Sequence, residues 1–133
     1  MINSDLNIDH IKQDSFNVLN NFENRNAVKR IGVFGSFARG DYTEDSDVDL
    51  IIDYNYAKTD IIEDSFKFLN FITDLRNIFK NKYNKETDVV EYAALKQREN
   101  RLLKKEIEGE IVWIYEQKGQ EQAKKKICEC YAP

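Results

Sequence analysis

The stretch 28–53 opens with Val28-Lys29-Arg30-Ile31-Gly32-Val33-Phe34-Gly35-Ser36-Phe37-Ala38-Arg39-Gly40. It continues Asp41-Tyr42-Thr43-Glu44-Asp45-Ser46-Asp47-Val48-Asp49-Leu50-Ile51-Ile52-Asp53. Two apolar runs flank a polar loop. Residues 28–34 predict a short buried strand, and 48–53 a second one centred on Leu50, Ile51 and Ile52. Gly35-Ser36 ends the first strand, and residues 37–40 read as a turn or short helix. Gly32, Gly35 and Gly40 fall within nine residues, although the whole chain has only five glycines. Such a concentration marks special backbone.

The loop and second strand are acidic. Residues 41–57 contain Asp41, Glu44, Asp45, Asp47, Asp49 and Asp53, and no Lys or Arg. Like charges so close repel unless water or a cation screens them. Asp41, Glu44 and Asp45 read as exposed loop residues beside Thr43 and Ser46. Asp47 and Asp49 differ, because they start an apolar strand two residues apart. A period of two puts both on one face, about 7 Å apart along the strand. Two carboxylates aimed at one place suit Mg²⁺, which takes carboxylates together with substrate phosphates. Gly35 allows close backbone approach by a ligand, and Ser36 offers a hydroxyl and an N–H at a predicted helix start. A triphosphate held with Mg²⁺ fits both features. A third acid would complete a two-metal site. Asp88, opening a predicted strand at 87–92, is the choice, since Glu91 falls on the opposite face by parity.

Outward from this centre the pattern alternates. Residues 8–22 carry Ile8, Ile11, Val18, Leu19 and Phe22 at helical spacing, with Ser4 or Asp5 as the expected cap. Residues 59–81 predict a long amphipathic helix with a core stripe of Ile61, Ile62, Phe66, Leu69, Ile72, Leu75 and Phe79. The aromatic residues Phe66, Phe68, Phe71 and Phe79 read mostly as core, but Phe68 and Phe71 fall off that stripe, which leaves a partner interface open for part of the helix. Residues 93–108 predict a charged helix with Leu95, Leu102, Leu103 and Ile107 inward, stopped by Gly109. Its charges, and Lys124-Lys125-Lys126, read as solvated faces. Residues 111–115 predict a fourth strand. The expected class is α/β (α+β), one mixed sheet of about four strands with helices packed on it.

Composition bounds the rest. The 133 residues carry 20 Lys plus Arg against 24 Asp plus Glu, a net charge of −4. That balance argues against a protein held to nucleic acid by phosphate contacts, and no direct nucleic-acid binding is expected. The expected organisation is one domain over 1–117 and a charged tail over 118–133. No signal peptide or membrane-spanning run is seen, so a cytoplasmic protein without membrane contact is expected. Cys128 and Cys130 read as unpaired tail cysteines, because the single His10 cannot complete a zinc site with them. Neither a G-x-x-x-x-G-K-[ST] loop nor a nucleophile elbow points to other chemistry.

Gly35-Ser36, ten intervening residues, then Asp47-Val48-Asp49 form a G-S-x10-D-x-D pattern. With the flanking Phe37-Ala38-Arg39-Gly40 and Leu50, it resembles nucleotidyltransferases of the DNA polymerase beta superfamily, in particular the minimal nucleotidyltransferases (MNT proteins) of prokaryotes. Residues 108–115 are similar to the end of minimal members. The resemblance implies a polymerase-beta-like nucleotidyltransferase fold. It implies Mg²⁺, two ions, on Asp47, Asp49 and Asp88, and the triphosphate of ATP on Gly35 and Ser36. Arg39 either touches phosphate or braces the acidic loop. Minimal members commonly act as antitoxins, moving AMP from ATP to a tyrosine of a HEPN ribonuclease toxin in a hetero-oligomer. Two alternatives stay open. One is a small-molecule, aminoglycoside-type enzyme completed by dimerisation. The other is a non-catalytic antitoxin that acts by binding.

Overall fold

In the computed structural model the described residues are 6–56, 61–96 and 101–117. Ser4, Asp5 and the tail with Cys128 and Cys130 lie outside them.

Four strands form one sheet. They are β1 (Val28–Phe34), β2 (Val48–Tyr54), β3 (Thr87–Glu91) and β4 (Val112–Glu116). The spatial order is β3-β2-β1-β4. β1 pairs antiparallel with both β2 and β4, whereas β2 and β3 run parallel, so the sheet is mixed as expected. The helices are α1 (Ile8–Asn20), α2 (Ser36–Arg39), α3 (Ile61–Tyr83), α4 (Tyr92–Lys96) and α5 (Arg101–Glu110).

Alternation along β2 sorts its side chains. Leu50, Ile52 and Tyr54 join the main core with Ile11, Leu19, Phe22, Phe68, Phe71, Leu75 and Phe79 of α1, α3 and their connections. Ile51 packs on the other face in a smaller cluster with Leu95 and Ile107. Burying both faces explains the unbroken apolar run at 50–52. Asp49 and Asp53 share the face of Ile51. At one end Asp53 meets Arg30, with Nη2 3.1 Å from the carboxylate. That guanidinium also lies over the Trp113 ring, 4.0 Å from its centroid. At the other end stands Asp49.

Three local expectations are corrected. The cap of α1 is Asn7, whose side chain accepts from the His10 N–H. Gly109 does not stop α5, which continues to Glu110. The helix predicted over 93–108 is described as two pieces, α4 and α5.

The largest correction concerns α3. Phe68 and Phe71 are buried, at 4% and 0% exposure, and belong to the core. Ile61, Ile62, Phe66 and Leu69 are exposed instead. Asp64, Phe68, Phe71, Leu75, Phe79 and Tyr83 make a second stripe at three- and four-residue steps, and that stripe faces the sheet. The helix is apolar on two sides, so periodicity fits either choice. The sheet takes the side with more aromatic area to bury. Leu75 and Phe79 are core, as read from the sequence.

Candidate active site

The turn after β1 builds one wall of the site. Gly35 adopts φ +73°, ψ −152°, a backbone region closed to most side chains. A Cβ on Gly35 would also collide with the Asp49 carboxylate. The residue must therefore be glycine on two independent grounds. Four residues of helix follow and end at Gly40, in the left-handed region at φ 87°. The backbone N–H groups of Ser36 and Phe37 and the Ser36 hydroxyl have no acceptor among the described residues.

The loop to β2 is held by its own polar groups. The Thr43 N–H donates to Ser46 Oγ at 2.8 Å, and Lys85 Nζ donates to the Thr43 and Glu44 carbonyls. Asp41, Glu44 and Asp45 are exposed, as expected of loop residues.

β2 then brings Asp47 and Asp49 to the mouth of the sheet. In the parallel ladder Asp49 stands directly opposite Asp88. Neighbouring strands are about 4.8 Å apart, so these two acids are forced together by register. Glu91 pairs with Ile52 and so takes the opposite parity from Asp88. Phe34 is the partner of Asp49 on the other side, which sets the Gly35-Ser36 turn beside the same carboxylates. The sheet thus gathers Gly35, Ser36, Asp47, Asp49 and Asp88 at one end.

Electrostatics separates Asp49 from the other acids among the described residues. The Asp49 carboxyl is pushed up to about 6, chiefly by burial, then by the charges of Asp88 and Asp47. Arg39 pulls the other way, and Glu110 adds to the rise. Among the described residues no side chain donates a hydrogen bond to Asp47, Asp49 or Asp88. As the side chains stand, no three His, Cys, Asp or Glu residues of the described set close around a point as a finished metal cage. The donors are all hard carboxylate oxygens, and Arg39 offsets their charge only in part. That chemistry fits a divalent cation bound by a few carboxylates and completed by phosphate oxygens.

Arg39 braces acids in this structure. Its Nε lies 3.2 Å from Asp41 Oδ2, and its Nη1 3.2 Å from both Glu110 oxygens. Glu110 also accepts from the Gly35 N–H at 3.0 Å. Sequence reasoning missed Glu110. Its signal was slight: an acid between Gly109 and the apolar run of β4.

This fold, with a glycine-serine turn beside strand-borne acids, defines a nucleotidyltransferase. The family model described as "Nucleotidyltransferase domain" matches residues 17–114, and the chain belongs to that family. Among relatives, a candidate protein adenylyltransferase of Methanocaldococcus jannaschii, MJ0128, is 32% identical over 87 residues, 65% of this chain and 76% of that protein. The protein adenylyltransferase MntA of Thermococcus cleftensis is 57% identical over 30 residues, 23% of this chain and 30% of that one. A solved candidate minimal nucleotidyltransferase superposes with a TM-score of 0.53 at 24% identity, over 83% of this chain and 98% of its own. A solved toxin–antitoxin structure with AMP-PNP superposes at a TM-score of 0.53 and 13% identity, over 91% and 98%. These structural likenesses concern the fold. Among the described residues no helix is long and apolar enough to cross a membrane.

Proposed function

We propose that this nucleotidyltransferase moves AMP from ATP to a hydroxyl of a partner protein, a tyrosine of a cognate HEPN toxin, and so acts as its antitoxin. The observation that carries the catalytic reading is the register pair Asp49 and Asp88 beside Asp47, under the Gly35-Ser36 turn. The protein acceptor is supported by the names of the relatives, one a protein adenylyltransferase and the other a candidate one.

In this reading Asp47, Asp49 and Asp88 hold Mg²⁺, with two ions expected. Bound Mg²⁺ supplies neutralisation of the triphosphate and of the charge that develops on the attacking and leaving oxygens. The chain does the rest by placement. The N–H groups of Ser36 and Phe37 and the Ser36 hydroxyl orient phosphate oxygens. Gly35 keeps the backbone close to Asp49, so phosphates and carboxylates share one small space. The acceptor oxygen attacks the α-phosphorus in line. A new oxygen–phosphorus bond forms as the bond to the bridging oxygen of the β-phosphate breaks, and pyrophosphate leaves. Asp88, whose side chain is exposed at the mouth, takes the hydroxyl proton. Arg39 is a further phosphate contact once released from the acids that hold it.

The test is to mix the protein with ATP, Mg²⁺ and the product of a neighbouring toxin gene, and to follow intact mass. A gain of AMP on the toxin, lost on Tyr→Phe substitution of its acceptor, is the expected result. Labelling of an aminoglycoside instead would replace the protein acceptor. An Asp47→Asn, Asp49→Asn double variant that still neutralises the toxin in cells would replace catalysis by binding.

A further inference from the structure

Glu110 sits where no expectation put it. It is the last residue of α5, two positions before β4. The antiparallel ladder pairs Val33 with Val112 and Gly32 with Trp113. Continued by two residues, the same register sets Glu110 across from Gly35. The fold therefore delivers this carboxylate to the turn, although the two residues are 75 positions apart in sequence.

Its contacts are those of an anion in an anion site. One oxygen accepts from the Gly35 N–H at 3.0 Å, and both oxygens face Arg39 Nη1 at 3.2 Å. The next two N–H groups along the turn, those of Ser36 and Phe37, have no acceptor among the described residues. An incoming phosphate that engages them meets the Glu110 carboxylate at its side and repels it. The contact is not locked in the core, since the Glu110 and Arg39 side chains keep 26% and 48% exposure. Charge-assisted hydrogen bonds this open to water are worth little and exchange readily.

We propose that Glu110 is a displaceable clamp: in the nucleotide-free protein its carboxylate holds the Gly35 N–H and the Arg39 guanidinium in place, and it yields them to a phosphate of the incoming nucleotide. The proposal rests on the nucleotide-site reading above. Its consequence is a trade. The clamp keeps the turn and Arg39 ordered between turnovers, and it weakens ATP binding by the cost of its own displacement. Glu110 is thus a positioning residue that sets ATP affinity.

Calorimetric titration of ATP with Mg²⁺ into the full chain tests this. The proteins compared are the unaltered chain, Glu110→Gln, Glu110→Ala and Asp41→Asn. Asp41→Asn removes an acid that also pairs with Arg39 but does not touch Gly35. Glu110→Ala is expected to bind ATP roughly three- to tenfold tighter, the scale of releasing one exposed ion pair and one hydrogen bond, and Glu110→Gln, which gives up only the ion pair, about threefold tighter. Asp41→Asn is expected to change affinity less than about twofold. The nucleotide-free melting temperature of Glu110→Ala should fall while its ATP-induced rise grows, a split that a merely structural brace does not produce. Should Glu110→Ala fail to fold, Glu110→Gln carries the test, because its amide oxygen still accepts from Gly35. Equal or weaker ATP binding by the Glu110 variants, with the unaltered chain binding normally, overturns the clamp alone. Tightening by Asp41→Asn as large as that by Glu110→Gln also overturns it, since general charge removal then suffices. No ATP binding by any of the four proteins overturns the nucleotide-site reading, and the clamp with it.

Discussion

Asp14 and Asp49 are both carboxylates drawn into the folded protein, and the fold treats them oppositely. Asp14, on α1, is 2% exposed. Lys82 Nζ lies 2.7 Å from one of its oxygens, and the Tyr83 hydroxyl donates to the other at 2.5 Å. The contact ties α1 to the end of α3. Asp49 is half-buried, receives no donor from the described residues, and faces Asp47, Asp88 and Glu110 with Arg39 as the opposing cation. A buried charge is tolerated when paired and hydrogen-bonded, and is costly otherwise. The same chain supplies partners at one place and withholds them at another. Withheld partners cost stability, and proteins accept that cost where an external ligand completes the set. The difference marks Asp14 as an acid that serves folding, and the role proposed for Asp49 in the chemistry rests on it.

The largest expected effect breaks the comparison on the side of function. Asp49→Asn or Asp88→Asn is expected to lower AMP transfer by at least about a thousandfold, because in the proposed mechanism placement of carboxylates carries most of the catalysis. Far-UV circular dichroism should be unchanged. Activity within tenfold of the unaltered protein would remove Asp49 from the chemistry. The next effect is on the side of folding. Asp14→Ala is expected to cost about 2–3 kcal/mol in urea denaturation, less than a fully buried pair because Lys82 can return to water. Asp14→Asn keeps an acceptor for Tyr83 and should cost about half as much. Neither change at Asp14 should alter the rate of a correctly folded sample. A third substitution links the two regions. Gly35→Ala combines an unfavourable φ with a collision against Asp49, and is expected to cost about 1–3 kcal/mol together with most of the activity. Retained activity at unchanged stability would show that the turn can move away from β2.

The order of elements and the acidic site were legible because both rest on local pattern. Apolar centres at 31–34 and 50–52 announce buried strands, and parity puts Asp47 with Asp49 and sets Asp88 apart from Glu91. That Asp88 stands opposite Asp49 also needs the parallel register of β2 and β3, which no single-strand pattern contains. Glu110 was illegible for the same reason, since its role comes from the pairing of β1 with β4 across the chain. The misplaced stripe on α3 has a different origin. Ile62, Phe66 and Leu69 satisfy helical spacing as well as Phe68, Phe71 and Leu75 do. Only the packed sheet breaks the tie. Caps and helix ends failed at single residues, where one hydrogen bond such as Asn7 with His10 decides.

The smallest expected effect tests the premise that Asp49 is held against its own charge. Its carboxyl is raised in the folded protein from 3.8 to about 6. The folded state therefore binds a proton more tightly than the unfolded chain between those values. By linkage, this group makes the protein less stable at pH 7 and above, and the loss is recovered as pH falls through 6 towards 4. With the site half open to solvent, the recovery is expected to be about 1 kcal/mol in chelator at low salt. Other acids titrate over the same range, so the informative quantity is the difference between the unaltered chain and Asp49→Asn. That difference should favour Asp49→Asn at pH 7.5 and shrink towards zero near pH 4.5. Added Mg²⁺ should shrink it at pH 7.5 as well, since a cation offsets the same repulsion. A difference that ignores both pH and Mg²⁺ would mean that Asp49 is as well satisfied as Asp14, and the contrast between the two acids would then fail.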